Sequence, residues 1–262
     1  MEYIKNINGL NINIYENFID AKLPTILFIH GFNDSINMVR YLENLPHNFN
    51  IVSLDLPGCG KSNWDPKIKI DIDYYSVFMT LFINDYFDKD KQIYVVAHSL
   101  GCMIALKMLE NIPKISKTIL IQPIVKNSRI RIENLLPNNE LEAYDSYLKL
   151  MESKDNLAQE SANKYAKKLM LNKEMNNKKF KNLAKQILNK SYIESFINKY
   201  YIQNERVLVL AGTKDFFIPL NNLLKTTKKF SLNTKIINNM THHSFKSSPR
   251  EIIKIIEEFI DN

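Results

Sequence analysis

The stretch AHSLG, residues 97–101, sets a serine between an apolar run, QIYVVA (92–97), and a helical pattern, SLGCMIALKMLEN (99–111). Small residues two before and two after it, Ala97 and Gly101, let a strand and a helix cross closely while Ser99 takes a strained backbone conformation. A serine hydroxyl is a weak nucleophile near neutral pH. It needs an adjacent base, and the base needs a third group to orient it. Both residue types follow at the ends of later apolar runs. Asp215 lies just past RVLVLAG (206–212), and the pair His242-His243 follows TKIINNM (234–240). Nucleophile, orienting carboxylate and base thus occur in the order Ser, Asp, His, with either histidine available as the base.

Other chemistries fit the residues less well. DLPGCGKS (55–62) ends like a phosphate-binding loop, but that loop needs a glycine five positions before Gly60, and the chain has Asp55 there. A carboxylate at that point would face the phosphates where bare backbone amides are required. No nucleotide is expected. The histidines make no paired ligand spacing with carboxylates or cysteines, so no metal or other cofactor is implied. Cys59 and Cys102 are too few for a disulfide framework. His30 and His98 are expected to pack or hydrogen-bond, His98 because it should face away from Ser99 on a pleated strand. His47, alone in a loop, is expected at the surface.

These residues need elements to position them. TILFIHG (25–31), NIVSLDL (50–56), QIYVVAH (92–98), KTILIQPIV (117–125) and RVLVLAG are continuous apolar runs, as strands buried on both faces should be, and TKIINNM is a weaker sixth. EYIKNI and LNINIYE flank Asn8-Gly9, a two-residue hairpin signal. Helical spacing appears at 73–87, 99–111 and 249–260, the last with Pro249 in its first turn. Strands alternating with helices predict an α/β fold with a mostly parallel sheet covered on both faces, whose ligands sit at the carboxyl ends of the strands. Residues 126–205 interrupt the alternation with helix-like sequence alone. We therefore expect a core formed by 1–125 and 206–262 and an inserted helical cap at 126–205.

HGF, DLPGCGKS, VVAHSLG, GTKDFFIP and HHSFKSSP together resemble, in order, segments of the α/β-hydrolase superfamily, and the resemblance covers nearly the whole chain. It implies a serine hydrolase with a helical cap between strands six and seven. DLPGCGKS is similar to the superfamily's D-x-x-G-x-G-x-S turn after strand four, where the glycines shape a loop beside the active site and Lys61 is a variable position. The catalytic residues implied are Ser99, Asp215 and His242. His242 is preferred to His243 because it follows a small residue, Thr241, and lies seven positions before Pro249. The backbone N–H groups of Phe32 and Leu100 would form the oxyanion hole.

The 262 residues carry a formal charge of +7, with 35 Lys+Arg against 28 Asp+Glu. Residues 126–205 hold 15 Lys/Arg and 10 Asp/Glu, hence +5 of that total, scattered as on a solvated face. Nucleic acid is not an expected partner, although a positive cap would favour anionic substrates. No apolar run reaches membrane-spanning length, and the N-terminus lacks a signal-peptide core, so a cytoplasmic location is expected. The expected substrate is a carboxylic ester of a small to medium acyl chain. An acyl thioesterase or lyase of the same fold is the first alternative, and a weakly catalytic ligand-binding receptor the second.

Overall fold

A computed structural model describes residues 1–261. Eight strands form one sheet in the order β1-β2-β4-β3-β5-β6-β7-β8. They are β1 (Glu2–Ile7), β2 (Leu10–Asn17), β3 (Thr25–Ile29), β4 (Asn50–Leu54), β5 (Ile93–His98), β6 (Ile115–Ile121), β7 (Val207–Lys214) and β8 (Asn233–Thr241). The first two form the hairpin anticipated at Asn8-Gly9, both of which take positive φ (49° and 82°). β2 pairs antiparallel with β4, and all later neighbours are parallel. β3 and β4 are buried at every position, which explains their unbroken apolar sequence.

Two hydrophobic layers cover the sheet. On one face α2 (Ile72–Tyr86) and α3 (Leu100–Leu109) bury Tyr75, Phe78, Phe82 and Met103. On the other, α1 (Arg40–Glu43) and α11 (Pro249–Asp261) bury Leu42, Ile252 and Ile256. His47 belongs to the buried set and not to the surface. Its ring stacks on Phe49 at 4.5 Å and its Nδ1–H donates to the Phe49 carbonyl, so the loop folds inward over it.

Between β6 and β7 the chain is helical: α4 (Ile132–Leu135), α5 (Glu140–Met151), α6 (Asn156–Leu171), α7 (Lys173–Leu188) and α8 (Lys190–Tyr200). A long amphipathic stretch at 180–201 divides at Asn189, whose side chain accepts the Tyr192 N–H and starts a new helix. Side chains of α7 tie this region to the loop after β4 and to α2. Lys179 donates to the Gly58 carbonyl at 2.9 Å, and Gln186 accepts the Ile72 N–H at the start of α2, also at 2.9 Å. After β7 come α9 (Leu220–Lys229), β8 and α10 (Ser244–Ser247).

The strand order locates the functional crevice. From β3 the chain moves outward to β4, whereas from β5 it moves the opposite way to β6. Their neighbouring carboxyl ends therefore splay their loops apart, and such a switch point is where α/β sheets bind ligands.

Candidate active site

Ser99 occupies that switch point. It has φ 52° and ψ −115°, a conformation rarely taken by a residue with a side chain, and it is wedged between β5 and α3. Gly101 makes the wedge sterically feasible, since a Cβ there would stand 2.6 Å from the Ile29 carbonyl oxygen and 2.7 Å from that of His30. Both contacts are with backbone, which cannot swing aside. Ala97 is completely buried, and its extra methyl is accommodated.

Asp215 follows β7, and His242 follows β8. The His242 Nδ1–H donates to Asp215 Oδ2 at 2.8 Å, leaving Nε2 to accept from the Ser99 hydroxyl at 3.2 Å. All three are at least nine-tenths buried. The other Asp215 oxygen accepts the N–H groups of Phe217 and Ile218, at 2.8 and 2.9 Å. Two backbone donors therefore fix the carboxylate that orients the imidazole.

The two residues expected to supply the oxyanion hole, Phe32 and Leu100, lie on the loop after β3 and directly after Ser99. Leu100 is the first residue of α3, so its N–H has no acceptor within the helix and forms part of the positive end of the helix dipole. Phe32 lies on the loop after β3 and lines the cavity in front of Ser99.

His243 is placed differently from His242. Its N–H donates to the Leu150 carbonyl of α5 at 3.3 Å, and its ring meets Tyr41 edge-on at 5.3 Å. Burial lowers its pKa. His98 does not face away from the site, because strand geometry ends at that residue and Ser99 turns sharply. It lines the cavity, and its Nε2–H donates to the His242 carbonyl at 2.9 Å. Burial, reinforced by the neighbouring histidines, holds its pKa well below the usual value. Both cysteines are buried, and burial raises both thiols, Cys59 to about 12. Neither offers a thiolate nucleophile.

Gln122 carries no motif that marks it in the sequence. It directly follows β6 with φ 51° and is completely buried. Its Nε2 donates to the Thr241 carbonyl at 3.0 Å, and its Oε1 accepts the Ser244 hydroxyl at 2.6 Å. It therefore holds the residues on both sides of the His242-His243 pair. Gly212 leaves room for it, since a Cβ there would come within 2.4 Å of the Gln122 amide nitrogen.

The DLPGCGKS loop is organised by Asp55. Its carboxylate accepts from Asn13 Nδ2 and from the N–H groups of Ile36 and Lys61, each at 2.8 Å. Gly60 is required beside it, with φ 49° and no space for a Cβ, which would lie 2.0 Å from an Asp55 oxygen. His30 reinforces the arrangement by accepting the Leu56 N–H at 3.0 Å through Nε2. The glycines thus serve a carboxylate that sets the loops bordering the site.

A cavity of about 260 Å³ opens in front of Ser99. Its lining combines the strand-end loops with residues of the helical region, among them Leu135, Tyr147, Leu150, Tyr165 and Ile187. Of the aromatics in residues 126–205, Tyr147 and Tyr165 border the cavity. Tyr192, Phe196, Tyr200 and Tyr201 pack against the core instead. No cluster able to hold a metal ion occurs among the described residues. No helix among them is long and apolar enough to cross a membrane.

Comparison with known proteins agrees with this architecture. Residues 24–131 match the family model of the alpha/beta hydrolase fold. A crystallised membrane phospholipase A, described as a bacterial virulence factor, superposes with a TM-score of 0.77 at 18% identity, over 100% of this chain and 86% of that one. A putative lipase from Acinetobacter baumannii gives 0.78 at 16% identity, over 99% and 90%. An N-acyl homoserine lactonase bound to N-hexanoyl homoserine lactone gives 0.75 at 16%, over 99% and 97%. No curated protein matches in sequence. The chain has the α/β-hydrolase fold.

Proposed function

We propose that the protein is a serine hydrolase that cleaves carboxylic esters of small to medium acyl chains. The observation that carries this reading is the hydrogen-bonded chain from Ser99 through His242 to Asp215, opening into a cavity at the switch point of the sheet. Ser99 Oγ attacks the acyl carbon while His242 Nε2 takes its proton. Asp215 holds the imidazole in the Nδ1–H tautomer and stabilises the imidazolium that forms. The N–H groups of Phe32 and Leu100 receive the negative charge developing on the carbonyl oxygen, in a site from which substrate displaces water. His242 then protonates the leaving alcohol. In the second half-reaction it activates a water that releases the acid and regenerates Ser99. The names of the structural neighbours, lipase, phospholipase and lactonase among them, accord with chemistry at an ester carbonyl.

Residues 126–205 act in this reading as a cap domain on the core of 1–125 and 206–262. The cap closes the cavity with apolar and tyrosine side chains and limits its size to that of a modest acyl ester.

The test is chemical labelling. A fluorophosphonate probe is expected to modify the folded protein at Ser99, with the adduct located by mass spectrometry. Ser99→Ala should lower kcat on a short-chain chromogenic ester by about 10⁶-fold, the scale of loss when a triad serine is removed. Modification elsewhere, or full activity in the variant, would overturn the assignment.

A further inference from the structure

The charge of the cavity runs against the charge of the molecule. The chain carries +7 overall, and +5 of it falls within residues 126–205, yet no lysine or arginine lines the cavity. Its lining contains one carboxylate, Asp34, on the loop after β3. One Asp34 oxygen accepts the Ser35 N–H at 2.8 Å. Among the described residues the carboxylate has no ion-pair partner. The positive surface therefore gives no reason to expect an anionic substrate inside, which corrects the expectation drawn from composition.

Two aromatic rings accompany that carboxylate. Tyr147 of α5 and Tyr165 of α6 both line the cavity, with ring centroids 5.1 Å apart. Neither hydroxyl has a hydrogen-bond partner among the described residues. Asp34 and both tyrosines line the same cavity, and Tyr165 stays partly exposed. His243 lines the cavity as well, but burial lowers its pKa and favours the neutral imidazole. A carboxylate without an ion-pair partner in a cavity that also holds two aromatic rings is poorly suited to an anion and weakly suited to a neutral group. It is well suited to an ammonium, which gains from the charge and from the electron-rich ring faces together. The remaining lining is apolar, including Ile124, Ile130, Leu135 and Ile187, and would take a hydrocarbon chain.

We propose that the substrate is an ester bearing an ammonium group, quaternary or a protonated amine, that docks against Asp34 and the rings of Tyr147 and Tyr165 while its apolar part lies along the aliphatic wall. This rests on the ester-hydrolase reading above and adds the class of ester.

Binding can be measured apart from turnover. Calorimetry with choline and with 3,3-dimethylbutan-1-ol compares a trimethylammonium group with its uncharged tert-butyl isostere. Choline is expected to bind at least about tenfold more tightly, the scale of a partly desolvated cation on an aromatic face. Asp34→Asn should bring the ratio close to one, and raising the ionic strength should lower it in the wild type. Tyr165→Leu should weaken choline binding, whereas Tyr165→Phe, which keeps the ring, should retain it. Equal binding of the two probes, no detectable choline binding, or an unchanged ratio in Asp34→Asn overturns the proposal. Choline selectivity without Ser99 labelling or ester turnover would leave the cation site standing and remove the hydrolase reading. Labelling of Ser99 without choline selectivity would remove only this inference.

Discussion

The two walls of the cavity are built on different terms. On the sheet wall the polar groups around Ser99 are spent on one another: Asp215 takes three donors, His98 holds the His242 backbone, and Gln122 grips both flanks of the histidine pair. On the helical wall, Asn134 and Ser146 bond to each other at 3.0 Å, but the hydroxyls of Tyr147 and Tyr165 have no partner among the described residues. The difference separates two tasks. Proton transfer needs atoms held within fractions of an ångström before substrate arrives. Recognition needs groups whose bonds are still to be made.

The adjacent histidines make the sharpest test of that division, because both follow β8 but only one is bonded into the network around Ser99, while the other reaches across to α5. His242 bonds Ser99 and Asp215, whereas His243 bonds the Leu150 carbonyl and packs on Tyr41. His242→Ala should lower kcat by at least about 10⁴-fold, since the general base is lost together with the activation of the nucleophile. His243→Ala should stay within about tenfold of wild type, the expected loss for a neighbour that moves no proton. If the two outcomes were reversed, the hydrogen-bonded chain described above would not be the working one.

A smaller effect is expected one layer behind the sheet wall. Gln122 touches no substrate, so its influence passes through the position of the His242 loop. Gln122→Leu keeps the bulk but makes neither the bond to Thr241 nor that to Ser244. A shift of about 1 Å at a reacting group is worth up to about 10²-fold, so kcat should fall between about tenfold and a hundredfold with KM nearly unchanged. Gln122→Glu keeps the acceptor for Ser244 and should recover part of the loss. A drop in thermal stability with kcat intact would mean that the residue only fills space.

The sequence and the structure agree most closely where function needs a fixed local shape. Ser99 was legible because a strained turn between strand and helix demands small neighbours, and Gly101 is the one that backbone crowding makes obligatory. That ligands should sit at the carboxyl ends of the strands followed from continuous apolar runs alternating with helices, whereas the switch between β3 and β5 depends on a strand order that no local pattern carries. Gln122 was not legible, because its partners lie more than a hundred residues away and no local pattern marks a buried amide. His47 was misplaced for a related reason: a histidine in a loop looks polar until a ring such as Phe49 is found under it. The aromatics of residues 126–205 could not be sorted by helical periodicity, which tells that a face is apolar but not whether it meets the core or a cavity. DLPGCGKS showed the opposite case, in which Asp55 argued against phosphate before its actual partners were visible.

The smallest expected effect concerns pH and follows from the density of histidine on the sheet wall. His98 is buried, and its pKa is lowered first by that burial and then by its neighbours His242 and His243. The unfolded chain would protonate His98 near its ordinary value of about 6.5, while the folded chain holds it neutral. A group lowered in this way leaves stability intact above about pH 6.5. Stability is then lost as the pH falls towards the folded-state value, because only the unfolded chain takes up the proton. One such group contributes a slope of about 1.4 kcal/mol per pH unit within that window, while its folded form stays neutral. His243 and His47, also lowered by burial, act in the same direction. Thermal melts of the wild type should therefore show a falling Tm from pH 7 to pH 5. His98→Gln can still donate to the His242 carbonyl but cannot titrate, so its Tm should fall less steeply over the same range. Parallel curves for the two proteins would show that His98 is protonated in the folded state, and that the histidine cluster at this wall is more open to water than its burial implies.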